Sequence, residues 1–457
     1  MNNIIHIHTD DLRLEDNKSI TESSKQGTVT PIYVYDKEIL SHYGEQYKEH
    51  LHNALRHLQK QYEKQNTTLH IINNTFENTI RNLNNHAINI TYPNRNIFLQ
   101  KKLQHISTSQ NVAVTHNITI NVETAQEGIR KAQKYLQKPT LSAPNIDYKP
   151  LPFSTQTKQI QQTKNLNKHY NQRLRLLKST IRNYGLIVGN PYLAEQQSSR
   201  ISHIIATGTK SIRQAYQDTK KIQSQTILLD RHLWNIRFKQ KAHKNPSLHK
   251  EPLNKYFNKH NYYQPNKKKH RAWTNAQTGY PLVDAAMNAL NKTGYTNFRM
   301  RALLATFYTH ILKQPWWKGA TYMHKKLIDA DPTINYYQWQ MQSNTLGIHP
   351  LRIYNPHKQQ KEKDPRAKYI HKYIETLRET SPEDITKQKL PKTYPDKIVN
   401  YKKQSQKTRN WFKQHKANII RQAKKQNLTQ QALLSKQSQH YLEKEYNKVK
   451  NTLDNYT

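Results

Sequence analysis

"LIDADPTINYYQWQMQ", residues 327–342, sets two aspartates, an asparagine and a tryptophan among apolar residues, in a chain otherwise rich in Lys, Asn, Gln and Tyr. Read as a helix, Asp331, Asn335 and Trp339 fall at i, i+4 and i+8 and so share one face. A solvated face does not normally carry Trp, and a plain core face does not carry Asp and Asn. The pattern implies a face that holds something polar and flat.

The chain around it has 457 residues, a length that suggests two or three domains. Only 34% is apolar, but 6 Trp, 29 Tyr and 8 Phe supply material for a large core. The net charge is +42, from 73 Lys and Arg against 31 Asp and Glu. A field of that sign draws polyanions, nucleic acid first. A compositional bias toward Lys and Asn would give the same excess, and would still produce salt-sensitive nucleic-acid binding. Cysteine is absent, which excludes disulfides, thiolate catalysis and Cys-ligated iron–sulfur clusters and fits a reducing cytoplasm. The start, "MNNIIHIHTDD", lacks the cationic and apolar regions of a signal peptide, and no run approaches the ~18 apolar residues of a membrane span. A soluble, cytoplasmic, basic protein with no metal centre is expected.

Residues 1–130 alternate short strands with helices. "NIIHIHT", "TPIYVYD", "TLHIIN", "HAINITY" and "VAVTHNITI" are β-branched or aromatic runs, and "EQYKEHLHNALRHLQKQYEK" is helical. The rhythm predicts an α/β domain with a parallel, Rossmann-like sheet covered by helices on both faces. Residues 131–165, rich in Pro, Ser and Thr, are expected as a linker. From 166 to 400 helical periodicity predicts an all-α domain. Residues 401–457 read as a basic helical extension; 402–425 hold nine Lys or Arg and no acid.

Two stretches carry chemistry. "SSRISHIIATGTKSIRQ", 198–214, opens with hydroxyl residues before an apolar helical pattern, so Ser198, Ser199 and Ser202 are expected to cap a helix and offer donors to an anion. Its "GTKS" is not a phosphate loop, because Lys does not follow Gly directly and no glycine-rich loop precedes it. "TGYPLVDAAMNALNKTGYTNFRMRALLATF", 278–307, puts Arg299 and Arg301 into an apolar helix, where a cation needs a partner. Asp329 is the expected partner of Arg301.

Together with "RIYNP" at 352–356, these pieces give the stretch from Ser198 to Leu377 a resemblance to the flavin-binding domain of the DNA photolyase and cryptochrome superfamily. "DDLRLEDN", 10–17, is similar to the family's first βα turn. The "NFRMRA" and "RxxW" pieces resemble a less familiar branch. The resemblance implies FAD in the helical domain, with Tyr184, Ser198, Ser199, Arg200, Ile201 and Ser202 around its phosphates and ribityl chain. It places the Arg301–Asp329 pair beside the ring system, Ala330 and Asp331 as further contacts, and Asn335 facing the reactive ring nitrogen. Trp339 and Trp316 match the inner and middle members of the family's electron-carrying chain, and Tyr263 falls where the outer, exposed member is expected.

In the lesion pocket Trp234 keeps the stacking position, with Arg231, Asn235 and Met341 as the other DNA-facing residues. Three of these depart from the family pattern. Arg231 replaces a glutamate, Asn235 an arginine and Met341 a tryptophan; Phe298 also stands where an asparagine is usual. The implied activity is light-driven repair of pyrimidine dimers in DNA by electron transfer from reduced FAD, in a monomer. The alternative is a cryptochrome-like receptor that binds FAD and nucleic acid without repair. A second, antenna chromophore in the α/β domain is allowed for, its identity unnamed.

Overall fold

The computed structural model describes residues 2–83, 87–92, 97–99, 102, 113–116, 125–151, 164–224, 226–243, 245, 247–258, 262–431, 440, 443 and 444. Five parallel strands form one sheet in the order β3-β2-β1-β4-β5, with β1 at Asn2–His8, β2 at Gly27–Val34, β3 at His70–Ile72, β4 at Ala87–Tyr92 and β5 at Ala113–His116. Order reverses on either side of β1, the mark of a doubly wound sheet. On β1, consecutive residues Ile5, His6, Ile7 and His8 are all fully buried, so the strand is covered on both faces. His6 is tolerated there as a neutral ring: burial, reinforced by His8, pushes it down to about 3. The His8 ring bonds the Tyr62 hydroxyl at 2.7 Å.

The turn after β1 ties the two domains together. Asp11 accepts from the Thr9 amide at 2.9 Å and from Asn17 Nδ2 at 2.8 Å, which fixes the turn. Arg13 then donates to the Gly208 carbonyl at 2.9 Å, and Asp16 takes Arg213 Nε at 3.1 Å as well as the Ser211 hydroxyl. Gly208 has φ +75, and a Cβ there would sit 2.0 Å from the Asp10 carbonyl oxygen, so only glycine admits this approach.

Two expected boundaries move. The helix Ala125–Gln137 runs into the span expected as a linker from 131. Beyond it the Asp147 carbonyl accepts from the Val29 amide at 2.7 Å, and the Lys149 amide donates to the Val29 carbonyl at 3.3 Å. The start of β2 extends beyond its pairing with β3, so its free edge groups take up this extended chain despite the prolines. The second correction concerns 401–457. The helix Tyr401–Lys425 buries Phe412, Ile419, Ile420 and Ala423, and Thr408 donates to the His310 carbonyl at 2.7 Å. That helix is part of the core; the chain beyond 431 lies almost wholly outside the described residues.

After β5 no strand occurs among the described residues. The helices that build the site are α1 at Pro191–Gln197, α2 at Ile227–His243, α3 at Lys267–Thr274, α4 at Pro281–Thr293, α5 at Phe298–Thr306, α6 at Trp316–Lys326 and α7 at Pro332–Gln342. A π-helical turn, Phe307–Ile311, follows α5. None of the described helices is long and apolar enough to cross a membrane.

Asp284 in α4 locks the loop before it. Its carboxylate accepts from the Thr278 amide (2.9 Å) and hydroxyl (2.6 Å), the Gly279 amide (3.1 Å) and the Tyr394 hydroxyl. Asp284→Ala strands these donors and should cost about 3 kcal/mol in urea unfolding. Burial outweighs the bonds from Thr278 and Tyr394 and raises the Asp284 carboxyl from 3.8 to about 6. The folded chain therefore holds this proton more tightly, and this group's contribution to stability falls as pH rises through the window between those values. Urea midpoints for Asp284→Asn should lose that decline.

Candidate functional site

The site begins where α1 ends. Tyr184 donates to Ser199 Oγ at 3.0 Å and accepts from the Ser199 amide at 3.1 Å, with both side chains buried. Ser198 Oγ donates back to the Ala194 carbonyl at 2.5 Å, closing α1. Arg200 follows with φ +49, a left-handed turn that reverses the chain. Ile201 then stands at the N-cap of the next short helix, with no side-chain cap bond, and Ser202 is exposed. The expected serine capping is thus corrected: the hydroxyls close the preceding helix and meet Tyr184, because Arg200 turns the backbone between them and the next helix. Arg173, which the sequence reading missed, spans this turn by donating to the carbonyls of Gln196 (3.1 Å), Ser198 and Ser199 (3.2 Å).

The other end is built by α5 and the start of α7. Arg301 Nη2 meets the two Asp329 oxygens at 3.0 and 3.1 Å, and Arg301 Nε donates to the Thr296 carbonyl at 2.9 Å. Asp329 and Ala330 are buried. Asp331 caps α7 by accepting from the Ile334 amide at 3.1 Å, and its other oxygen lies 3.9 Å from Lys239 Nζ. Asn335 Nδ2 donates to the Ala320 carbonyl of α6 at 2.9 Å. The shared face of Asp331, Asn335 and Trp339 is real, with Asp331 at the cap.

Tyr295 joins the two ends. Its ring centre lies 3.8 Å from the Arg200 guanidinium and 5.9 Å from that of Arg301. Arg231 on α2 feels the hydroxyls of Tyr184 and Tyr295, and burial lowers its basicity. Arg173 is lowered likewise, by burial and then by Arg200. Four guanidiniums converge, and among the described residues Asp329 is the only carboxylate ion-paired to any of them. Arg231 Nε and Asn235 Oδ1 are buried without a partner on α2, as is Gln338 Oε1 on α7. Buried polar atoms normally bond, so these orphans and the surplus of cations fit an anionic, polar ligand.

Of the residues expected to face DNA, Arg231, Trp234 and Asn235 lie along α2. Trp234 is half-buried and stacks on Phe238 at 5.4 Å. Arg231 lies 5.2 Å from the ring of Phe298, which is 44% exposed. Met341, on α7, is half-buried.

The aromatic chain is arranged differently from the sequence expectation. Trp316 contacts Trp317 at 6.0 Å, and Trp317 contacts Tyr263 at 5.7 Å, so Trp317 bridges the expected pair. A cavity of about 380 Å³ opens against Tyr263, Trp316 and Trp317. Tyr263, expected as the exposed end, has its hydroxyl buried against Ser343, and burial raises its pKa strongly. Trp339 makes its ring contacts with Trp273 and Tyr308, each at 6.0 Å. Trp273 was legible as one of six tryptophans beside "TGYP", and it went unread.

Two family models match the chain. The model for the FAD binding domain of DNA photolyase matches residues 228–414, and the DNA photolyase model matches residues 4–116. The chain belongs to the DNA photolyase and cryptochrome superfamily. Its helical domain is the family's FAD-binding domain.

Among curated relatives, the deoxyribodipyrimidine photo-lyase of Synechococcus sp. is 36% identical over 32% of this chain and 32% of its own. That of Escherichia coli is 30% identical over 46% and 48%. These matches span from about a third to a half of the relatives' length. The archaeal photolyase from Sulfolobus tokodaii, described with two FAD molecules, superposes with a TM-score of 0.77 at 25% identity, over 90% of this chain and 100% of its own. A Synechocystis cryptochrome shares the fold, with a TM-score of 0.75 at 20% identity over 90% and 99%.

Asp329→Ala should leave the Arg301 cation partly buried without its partner, at a cost of about 2 kcal/mol in denaturant unfolding, since Arg301 keeps some solvent.

Proposed function

We propose that the chain is a light-dependent DNA repair enzyme that splits pyrimidine dimers, with FAD held between the Ser198–Ser202 turn and the Arg301–Asp329 pair. The observation that carries this reading is the guanidinium cluster around Tyr295 with a single paired carboxylate. It supplies the positive field that a dinucleotide diphosphate needs. Tyr184, Ser199 and Arg200 hold that end of the cofactor, with Ser198 and Ile201 shaping the turn and Ser202 at its rim. Arg301, Asp329, Ala330, Asp331 and Asn335 hold the ring end. When bound and reduced, FAD supplies the excited-state electron that opens the dimer.

The chain's own residues do the rest. Trp234, half-buried beside Phe238, is the ring against which a flipped lesion would stack. Arg231, Asn235 and Met341 complete the pocket. Arg231 puts a cation where the family's repair enzymes keep a carboxylate, so a lesion carbonyl or phosphate meets positive charge here. The Asn335 amide donates to the Ala320 carbonyl, which leaves its oxygen as the group that would meet the ring when FAD is bound. The net charge of +42 draws DNA, the proposed partner, to a monomer working in the cytoplasm. The α/β domain leaves room in this reading for a second chromophore, of a kind the residues do not name.

Illumination of the reduced protein with a dimer-containing oligonucleotide should restore thymines. Trp234→Ala should abolish restoration while FAD stays bound. Intact flavin photochemistry with no restored thymines in the unaltered protein would favour the receptor reading. Dimer-independent DNA affinity should fall steeply between low and physiological salt, about in proportion to the number of phosphates neutralised on a log–log plot.

A further inference from the structure

Trp339 is packed with unusual closeness to one side of the helical domain. Gly319 of α6 makes the room: a Cβ there would lie 2.4 Å from Trp339 Cη2 and 2.8 Å from Tyr308 Cδ1. Tyr308 sits in the π-helical turn after α5, whose shifted register sets it against Trp273 at 4.5 Å. Trp273, Trp339 and Tyr308 are all nearly or wholly buried. The indole N–H groups of Trp273 and Trp339 have no partner, so an oxidised indole here has no base to receive its proton and stays a strongly oxidising cation. The Tyr308 hydroxyl, by contrast, bonds His270 Nδ1 at 2.7 Å. His270 is half-exposed on α3, and burial, then Lys318, keeps its ring on the neutral, proton-accepting side.

We propose that a second oxidation route leaves Trp339 through Tyr308, with His270 as the proton acceptor and solvent beyond it. This inference rests on the helical domain binding FAD. Trp339 gives one electron to photoexcited, oxidised flavin. Tyr308 returns one electron to Trp339, directly or by way of Trp273, and passes its phenolic proton to His270 Nδ1. A neutral tyrosyl radical and an imidazolium remain. A soluble thiol then supplies the electron, and His270 returns the proton, restoring Tyr308. The proton transfer makes charge return slow, because reversal needs the proton back first. Tyr263, at the end of the Trp316–Trp317 path, has a buried hydroxyl against Ser343 and no bonded base. Its oxidation would leave the proton on a buried hydroxyl with no bonded base.

The test is electron paramagnetic resonance of the FAD-loaded protein, illuminated in the oxidised state, with ring-deuterated tyrosine to identify the radical. The narrowed tyrosyl signal should vanish in Tyr308→Phe and persist in Tyr263→Phe. In His270→Phe the radical should form about a hundredfold more slowly, the usual worth of a positioned proton acceptor. In the dark, flavin-free protein, nuclear magnetic resonance of the His270 ring should shift on Tyr308→Phe. A signal that survives Tyr308→Phe, one that disappears in Tyr263→Phe, or the absence of any tyrosyl signal from a yellow, photobleaching protein would overturn the route. Flavin content is measured before illumination, and a colourless protein would contradict the cofactor reading as well.

Discussion

The Arg301–Asp329 contact is the fixed point of the helical domain. Moving a guanidinium and a carboxylate out of water is costly, and only close geometry with further bonds offsets it. Arg301 meets that condition through two oxygens of Asp329 and the Thr296 carbonyl. The contact ties α5 to the loop before α7, and Asp331 at the end of that loop starts the helix that carries Asn335 and Trp339. The Tyr295 ring lies between the two ends, 5.9 Å from the Arg301 guanidinium and 3.8 Å from that of Arg200. The ion pair thereby fixes the end of the site that α5 and α7 build.

The second constraint is between domains. The Asp11–Asp16 turn of the α/β domain is bonded to Gly208, Ser211 and Arg213, which follow the serine turn directly. A motif that looks local in sequence is thus bonded to the chain just after the serine turn, in the other domain. Gly208 is what lets the two backbones touch.

Legibility followed the physics of each signal. Strand–helix rhythm in the first third was strong because short β-branched and aromatic runs, such as "NIIHIHT" and "TPIYVYD", alternate with a long helical stretch. Arg301 and Asp329 could be paired from sequence, since a cation in an apolar helix demands a partner. Arg173 could not, because its helix, "LNKHYNQRLRLLKST", places cations on several faces and nothing marks the one that spans the serine turn. The serine caps were misplaced because the left-handed turn at Arg200 has no sequence marker: Arg is not a residue that favours it. The tail helix was misjudged because Phe412, Ile419 and Ile420 are a sparse apolar stripe in a Lys- and Gln-rich run, enough to bury one face yet too thin to dominate composition. The π-helical turn holding Tyr308 was invisible, since the apolar pattern of 298–311 runs through it without a break.

The central claim is that this fold grips a flavin at both ends, the ring by Arg301, Asp329 and Asn335 and the diphosphate by the arginine-rich serine turn. Titrating flavin-free protein with FAD and with riboflavin, followed by flavin fluorescence, separates those two grips. The account predicts one FAD in the helical domain, bound at least about a hundredfold more tightly than riboflavin because two or more charge-assisted bonds are lost without the diphosphate. Equal affinity for the two, or binding of neither, would contradict it.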